Sequence, residues 1–249
     1  MAFSGRTVHI ACAFSIVEIL AVLYRSFLRL GSAPDAGERD YLVLSKGHGI
    51  MAQYACLREI GWLSQSDIDR YFCDGTVLKG LADSHVPGVD ATCGSLGHGL
   101  SVAAGLAMAM MAQGSDRRVF VVVGDGEMNE GPIWEALLFC YHYKLNNLIL
   151  IVDENGFQAM GTTDEVMRLG DLAAKLRAFN VETRCVDGHD ESALAETLTA
   201  LLATESAGPK AIVARTVKGH GVSFMAGHNA WHYTRLTSET YRAALAELQ

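Results

Sequence analysis

Proline is scarce, 4 in 249 residues, and charged side chains make up only 19% against 50% apolar ones. That balance excludes a disordered, collagen-like or coiled-coil chain and leaves enough apolar material for a well-buried core. No run of lysine and arginine forms a basic stripe, and the net charge is −8, so the electrostatic footprint of a nucleic-acid binder is missing. The six cysteines, at 12, 56, 73, 93, 140 and 185, form no Cys-x-x-Cys pair, and the nine histidines show no zinc-type spacing. Such usage fits small buried thiols in a reducing compartment. No apolar stretch approaches the roughly 18 residues that a membrane helix needs. Residues 10–17 could imitate the apolar core of an export signal, but Glu18 interrupts them and no small-residue cleavage site follows. A cytoplasmic location is expected, with no membrane and no nucleic-acid partner.

What is present is an alternation. Residues 41–45, 119–123, 148–153, 181–186 and 211–216 read as strands. The second is Val-Phe-Val-Val-Val, and 148–152 is also continuously apolar, as expected of strands buried on both faces of a parallel sheet. Helical patterns cover 10–30, 49–60, 64–72, 97–113, 131–143, 171–179, 192–205 and 238–248, and Ser64 with Asp67 makes a capping pair. The expectation is a single α/β domain over 1–249, a doubly wound, mostly parallel sheet with helices on both faces. Ligands of such sheets bind beyond the carboxyl ends of the strands, here the loops after Ser45, Val123, Val152 and Thr216.

One of these loops reads Gly124-Asp125-Gly126-Glu127-Met128-Asn129-Glu130-Gly131 and opens a helix. Asn155 follows Asp125 by 30 residues, in Asp153-Glu154-Asn155-Gly156-Phe157. That interval fits one helix plus one strand, which returns the chain to the same sheet edge. A carboxylate, an amide oxygen and a nearby carbonyl suit octahedral Mg²⁺ that also binds phosphate oxygens. Gly-Asp-Gly alone marks a turn; with the spaced asparagine it resembles the thiamine diphosphate fingerprint.

Further stretches narrow the resemblance to the transketolase family: Leu44-Ser45-Lys46-Gly47-His48-Gly49; Pro87-Gly88-Val89-Asp90 with Gly94-Ser95-Leu96-Gly97-His98-Gly99; and Thr216-Val217-Lys218-Gly219 through Phe224 to Trp231-His232. The chain looks like the separately encoded N-terminal half of a split transketolase. The resemblance implies the diphosphate-binding fold, with Mg²⁺ held by Asp125, Asn155 and the Phe157 carbonyl. It implies cofactor contacts from His48, Gly94, Ser95, Leu96, Gly124, Asp125, Gly126, Glu127, Asn155, Phe157 and His232, with Gly126 letting the backbone approach the diphosphate. Catalytic roles fall to His9, His48 and His232, and Glu130 matches a carboxylate that links active sites across the interface between protomers.

The same resemblance implies transfer of a two-carbon ketol unit from a ketose, such as a ketose phosphate, to an aldose. It also implies a C-terminal partner subunit carrying the activating carboxylate and pyrimidine cradle, in a heterotetramer of two plus two chains. The helices at 131–143, with Pro132, Ile133, Trp134, Leu137 and Leu138, and at 97–113 are the candidate interface. Two departures stand out. The usual Gly-His-x-Gly-Gly is Val8-His9-Ile10-Ala11-Cys12, and the usual Gly-His is Gly80-Leu81, with His85 four residues on. The alternatives are the alpha chain of a 2-oxo acid dehydrogenase and a catalytically impaired, cofactor-binding regulatory subunit. His189 reads as turn chemistry, and His220 and His228 carry no assigned role.

Overall fold

In the computed structural model, residues 1–248 are described. Five parallel strands form one sheet in the order β1-β2-β3-β5-β4: β1 Tyr41–Leu44, β2 Val119–Gly124, β3 Leu148–Glu154, β4 Glu182–Asp187 and β5 Lys210–Arg215. The apolar runs account for the centre. Every residue of β2 is buried, as are Leu148 to Asp153 of β3, because helices cover both faces and leave no water-facing alternation. Edge strand β4 is only partly buried and alternates less regularly. Strand positions match the expectation to within a residue or two, and the fold class is as read from the pattern. Among the described residues no helix is long and apolar enough to cross a membrane.

The helices are α1 Ile10–Phe14, α2 Val17–Val22, α3 Ile50–Glu59, α4 Gln65–Asp69, α5 Gly99–Ala112, α6 Gly131–His142, α7 Thr163–Met167, α8 Leu172–Ala178, α9 Glu191–Leu202 and α10 Ser238–Glu247. The continuous helix expected over 10–30 is not formed. It breaks at Ser15 and Ile16, and after α2 the chain passes into a π-helical turn, Leu23–Phe27. The cause at the break is a buried polar contact. Ser15 Oγ donates to Asp153 Oδ2 at 2.8 Å and lies 3.2 Å from the Cys12 carbonyl, a side-chain-to-backbone arrangement that bends helices. Helix α7 is additional to the expected set, although its capping box, Thr162 with Glu165, is legible in the sequence. The Ser64–Asp67 box caps α4 as read.

Register brings the four loops together. Gly124 pairs with Asp153, and the Asp125 N–H donates to the Asp153 carbonyl at 3.0 Å. Ser45 N–H donates to the Val122 carbonyl, and Thr216 N–H to the Glu154 carbonyl. The ends of β1, β2, β3 and β5 therefore share one edge.

Candidate active site

A cavity of about 370 Å³ lies at that edge, and His9, His48, Asp125, Asn155, Phe157 and His232 all reach it. The carboxylate of Asp125 is nearly buried. Its Oδ1 accepts from Gly126 N–H at 2.8 Å and its Oδ2 from Gly156 N–H at 2.6 Å. These bonds fix the carboxylate across the ends of β2 and β3. Burial first, and the neighbouring Asp153 second, push its pKa up to about 7. Asn155 Nδ2 donates to Asp153 Oδ2 at 2.8 Å, while Asn155 Oδ1 accepts from Phe157 N–H at 3.0 Å. The amide oxygen thus faces away from Asp153, and the turn that carries the Phe157 carbonyl is closed.

The buried pair behind this surface is Lys46 and Asp153. Lys46 Nζ donates to Asp153 Oδ2, and Thr216 Oγ1 donates to Oδ1. Both groups are almost fully buried; burial opposes each charge, yet mutual attraction keeps the lysine pKa raised and the aspartate pKa lowered. Asp153 is neutralised by Lys46, whereas among the described residues no cation lies within 4.0 Å of the Asp125 carboxylate. A buried carboxylate, with an amide side chain and a backbone carbonyl on residues that line the same cavity, offers the hard oxygen donors that Mg²⁺ takes. The Nε2 of Gln158, on the same wall, is buried without a hydrogen-bond partner, a donor available to an anionic ligand. These residues fit a divalent cation with a diphosphate.

Three histidines form a second group. Ring centroids of His9 and His48 are 5.5 Å apart, His9 and His232 5.4 Å, and His48 and His232 5.7 Å. Burial lowers all three pKa values, with Lys218 contributing at His9, Lys46 at His48, and Lys218 at His232. His48 lies well below its ordinary value, and His232 falls to about 3. All three are neutral near pH 7. Lys218 Nζ lies 2.5 Å from His232 Nδ1 and 3.0 Å from Asn229 Oδ1. An ammonium can only donate, so His232 accepts at Nδ1 and carries its proton on Nε2, free to donate.

Several expected residues have other work. Ser95 is exposed and does not reach the cavity, whereas Gly94 and Leu96 do. Glu127 lines the wall but is engaged as a brace: its carboxylate accepts from Ser45 Oγ at 2.5 Å, Gly97 N–H at 2.8 Å and Gly124 N–H at 3.3 Å. The bareness of Gly126 is demanded by Gln158, whose Cγ would sit 2.7 Å from an added Cβ. Gly124 is buried at the strand end and Glu130 reaches the cavity rim. His85 does not replace the histidine missing at Leu81: its exposed ring pairs with Asp83 at 2.7 Å, and Leu81 itself lines the cavity.

His189 does more than close its turn. Its Nδ1 lies 3.1 Å from Glu18 Oε2 and its Nε2 accepts from Val217 N–H at 2.8 Å, with His220 stacked on it at 3.6 Å. This clamp holds the loop that presents Lys218. Sequence reasoning misses Lys46, Lys218, Asp153, Gln158 and Cys12 as parts of the site. The two lysines stand inside the Lys-Gly-His-Gly and Val-Lys-Gly stretches, which is the available signal. On the interface candidates, Ile133 and Leu137 are buried in the domain's own core and Trp134 donates to the Met128 carbonyl. Leu138, Phe139, Tyr141 and, on α5, Val102, Met108 and Met111 are the large exposed apolar ones.

Comparison with known proteins is consistent across three kinds of relationship. A family model described as transketolase, thiamine diphosphate binding domain, matches residues 4–248. An apulose-4-phosphate transketolase subunit of Phocaeicola vulgatus is 35% identical over 247 residues, covering 99% of this chain and 88% of that protein. The 6-deoxy-6-sulfo-D-fructose transketolase subunit SqwG of Clostridium sp. is 37% identical over 243 residues, covering 97% and 88%. The solved transketolase of Leishmania mexicana superposes with a TM-score of 0.91 at 30% identity, over 98% of this chain and 38% of that one. This chain therefore spans about two-fifths of that solved protein's length.

Proposed function

This chain belongs to the transketolase family, matching its thiamine-diphosphate-binding domain, and on that premise we propose that it is the N-terminal subunit of a split transketolase. It transfers a two-carbon ketol unit from a ketose bearing a phosphate or similar group to an aldose, together with a separate C-terminal subunit, two plus two chains in all. The observation that carries this reading is the convergence of Asp125, Asn155, Phe157 and three histidines on one cavity. The near-complete coverage of two subunit-sized relatives supports the division into two polypeptides. The dehydrogenase alternative has no comparable support.

Asp125, Asn155 and the Phe157 carbonyl would hold Mg²⁺ and, through it, the diphosphate, with Gln158 Nε2 as a further donor. Bound thiamine diphosphate supplies the electron sink that lets the bond beside a ketose carbonyl break. The protein's own part is binding, orientation and proton placement. His232 donates from Nε2 because Lys218 occupies Nδ1. His9 and His48, neutral at rest and with ring centroids 5.4 and 5.7 Å from that of His232, can donate hydrogen bonds to sugar oxygens or take up a proton from them, becoming imidazolium when they do. Leu81 and Leu96 give the cavity apolar wall and limit water. Leu81 offers no hydrogen bond where the family has a histidine, so one substrate contact is missing.

The test is reconstitution. The purified chain alone should transfer negligible two-carbon units, and mixing it with the C-terminal-half protein should restore transfer. Full activity from the chain alone would overturn the split. Cofactor binding by the mixture without any transfer would instead favour the regulatory reading.

A further inference from the structure

Strand β5 ends at Arg215, and the Thr216 N–H still bonds to the sheet, at the Glu154 carbonyl, 3.1 Å away. The N–H of Val217 comes next and needs an acceptor of its own. A side chain supplies it: Nε2 of His189 accepts from Val217 N–H at 2.8 Å. An imidazole nitrogen that accepts carries no proton, so the donor of this ring is Nδ1–H. Nδ1 lies 3.1 Å from Glu18 Oε2, which accepts from it. His189 thus joins a carboxylate on α2 to a peptide N–H just beyond β5.

The aim of His189 is set by backbone packing. Gly188 N–H donates to the Arg215 carbonyl at 2.7 Å, and His189 N–H donates to Asp187 Oδ1 at 2.9 Å. This turn lies so close to the end of β5 that a Cβ on Gly188 would stand 3.0 Å from the Arg215 carbonyl oxygen and 2.4 Å from Thr216 Cγ2. His220 stacks on the His189 ring at 3.6 Å, and its own N–H donates to the Val217 carbonyl at 3.1 Å. Only 11% of the His189 side chain stays exposed.

The residue after Val217 is Lys218, which is buried. Its carbonyl accepts from Gly227 N–H at 2.9 Å, and the next N–H, of Gly219, donates to the Ala11 carbonyl at 3.0 Å. Those bonds hold the C-terminal side of the lysine. On its N-terminal side the bond at Val217 N–H comes from a side chain, in the turn after edge strand β4. Lys218 Nζ ends 2.5 Å from His232 Nδ1. The tautomer of His232 therefore depends on where that ammonium sits.

We propose that Glu18 and His189 are a positioning pair for the reaction: by binding Val217 N–H they seat Lys218 against His232 and so keep the proton of that histidine on Nε2. Neither residue lines the cavity, so both act through Lys218. The consequence for turnover rests on the transketolase reading; the consequence for His232 does not.

The experiment uses the full chain with its C-terminal-half partner, as wild type, His189→Leu and His189→Gln. Glutamine offers an acceptor for Val217 N–H and a donor for Glu18, whereas leucine offers neither. Circular dichroism checks folding, and Glu18→Ala, which frees the ring from its carboxylate, takes the place of His189→Leu if that variant does not fold. The expected result for His189→Leu is kcat lowered about tenfold or more with KM within about twofold, the pattern of lost transition-state positioning. His189→Gln should recover most of it. Nitrogen NMR of the histidine-labelled chain, with the His232 signal identified by its loss in His232→Gln, reads the tautomer directly. Wild type and His189→Gln should carry the proton on Nε2, and His189→Leu should share it between the two nitrogens. The proposal is overturned by a His232 signal unchanged in His189→Leu, by an undiminished kcat in that variant, or by equal impairment with leucine and glutamine. If no complex transfers two-carbon units, yet the His232 signal changes in His189→Leu and returns in His189→Gln, the positioning pair stands and the transketolase reading fails.

Discussion

Asp125 and His232 show how burial sets the chemistry of single residues. Asp125 has its pKa pushed up to about 7 because burial and Asp153 both disfavour its charge. A divalent cation is the partner that would relieve this. Asp125→Ala should therefore abolish Mg²⁺-dependent thiamine diphosphate binding by the assembled pair of subunits, as read by calorimetry; undiminished affinity would remove Asp125 from the proposed metal site. His232 is shifted the other way, from 6.5 to about 3. Between those values the unfolded chain binds a proton that the folded chain refuses. Stability tied to this residue is complete above pH 6.5 and declines as pH falls toward 3. His232→Gln should flatten the loss of urea stability between about pH 7 and 5.5, by up to one proton in slope. It should also lower turnover about 10²-fold, the usual worth of a positioned acid or base. An unaltered slope would mean that His232 is not held neutral.

Between elements, the decisive contacts are close approaches of backbone. Gly99, the first residue of α5, lies against the end of β1: a Cβ there would be 2.7 Å from Ser45 Cα. Ser45 is in turn bonded to Glu127. Helix start, strand end and brace form one seam beneath the Lys46-Gly47-His48 loop. Gly99→Ala should cost about 1–3 kcal/mol, the range for overpacking a tight contact, and displace that loop. Urea denaturation would measure the first effect, and weakened cofactor binding by the assembled subunits the second. A variant as stable as the parent would show that the seam can open freely. Ser15 makes the same point about helices. A pattern that reads as one long helix is divided because its hydroxyl is needed at Asp153.

At the scale of the whole molecule, α5 and α6 pack side by side and together present Val102, Met108, Leu138, Phe139 and Tyr141 to solvent. An apolar face of this kind suits burial in an obligate assembly. Leu138 is 59% exposed, so Leu138→Asp should leave the isolated chain's stability within about 0.5 kcal/mol. Burying a leucine is worth roughly 1.5–3 kcal/mol, and each 1.4 kcal/mol is about tenfold in affinity. Assembly with the C-terminal-half protein should therefore weaken at least tenfold, as seen by sedimentation velocity. Unchanged assembly would place the interface elsewhere.

The sheet was legible because its strands are continuous apolar runs, a pattern that depends only on local sequence. The Asp125–Asn155 spacing and the Lys-Gly-His-Gly and Trp-His stretches were legible for a similar reason: each is local, and strand order returns them to one edge. What the sequence could not decide was which of several nearby polar residues would face inward. Glu127 and Ser95 sit in the right motifs, yet one became a brace and the other faces solvent. Lys46 and Asp153 are 107 positions apart and meet only when β1 and β3 flank β2. The clamp on the Lys218 loop joins residues 18, 189 and 217, which no sequence window contains. Local runs and spacings determined the fold class and the loops gathered at one sheet edge. Long-range packing, which alone decides distance, desolvation and therefore charge, determined the rest.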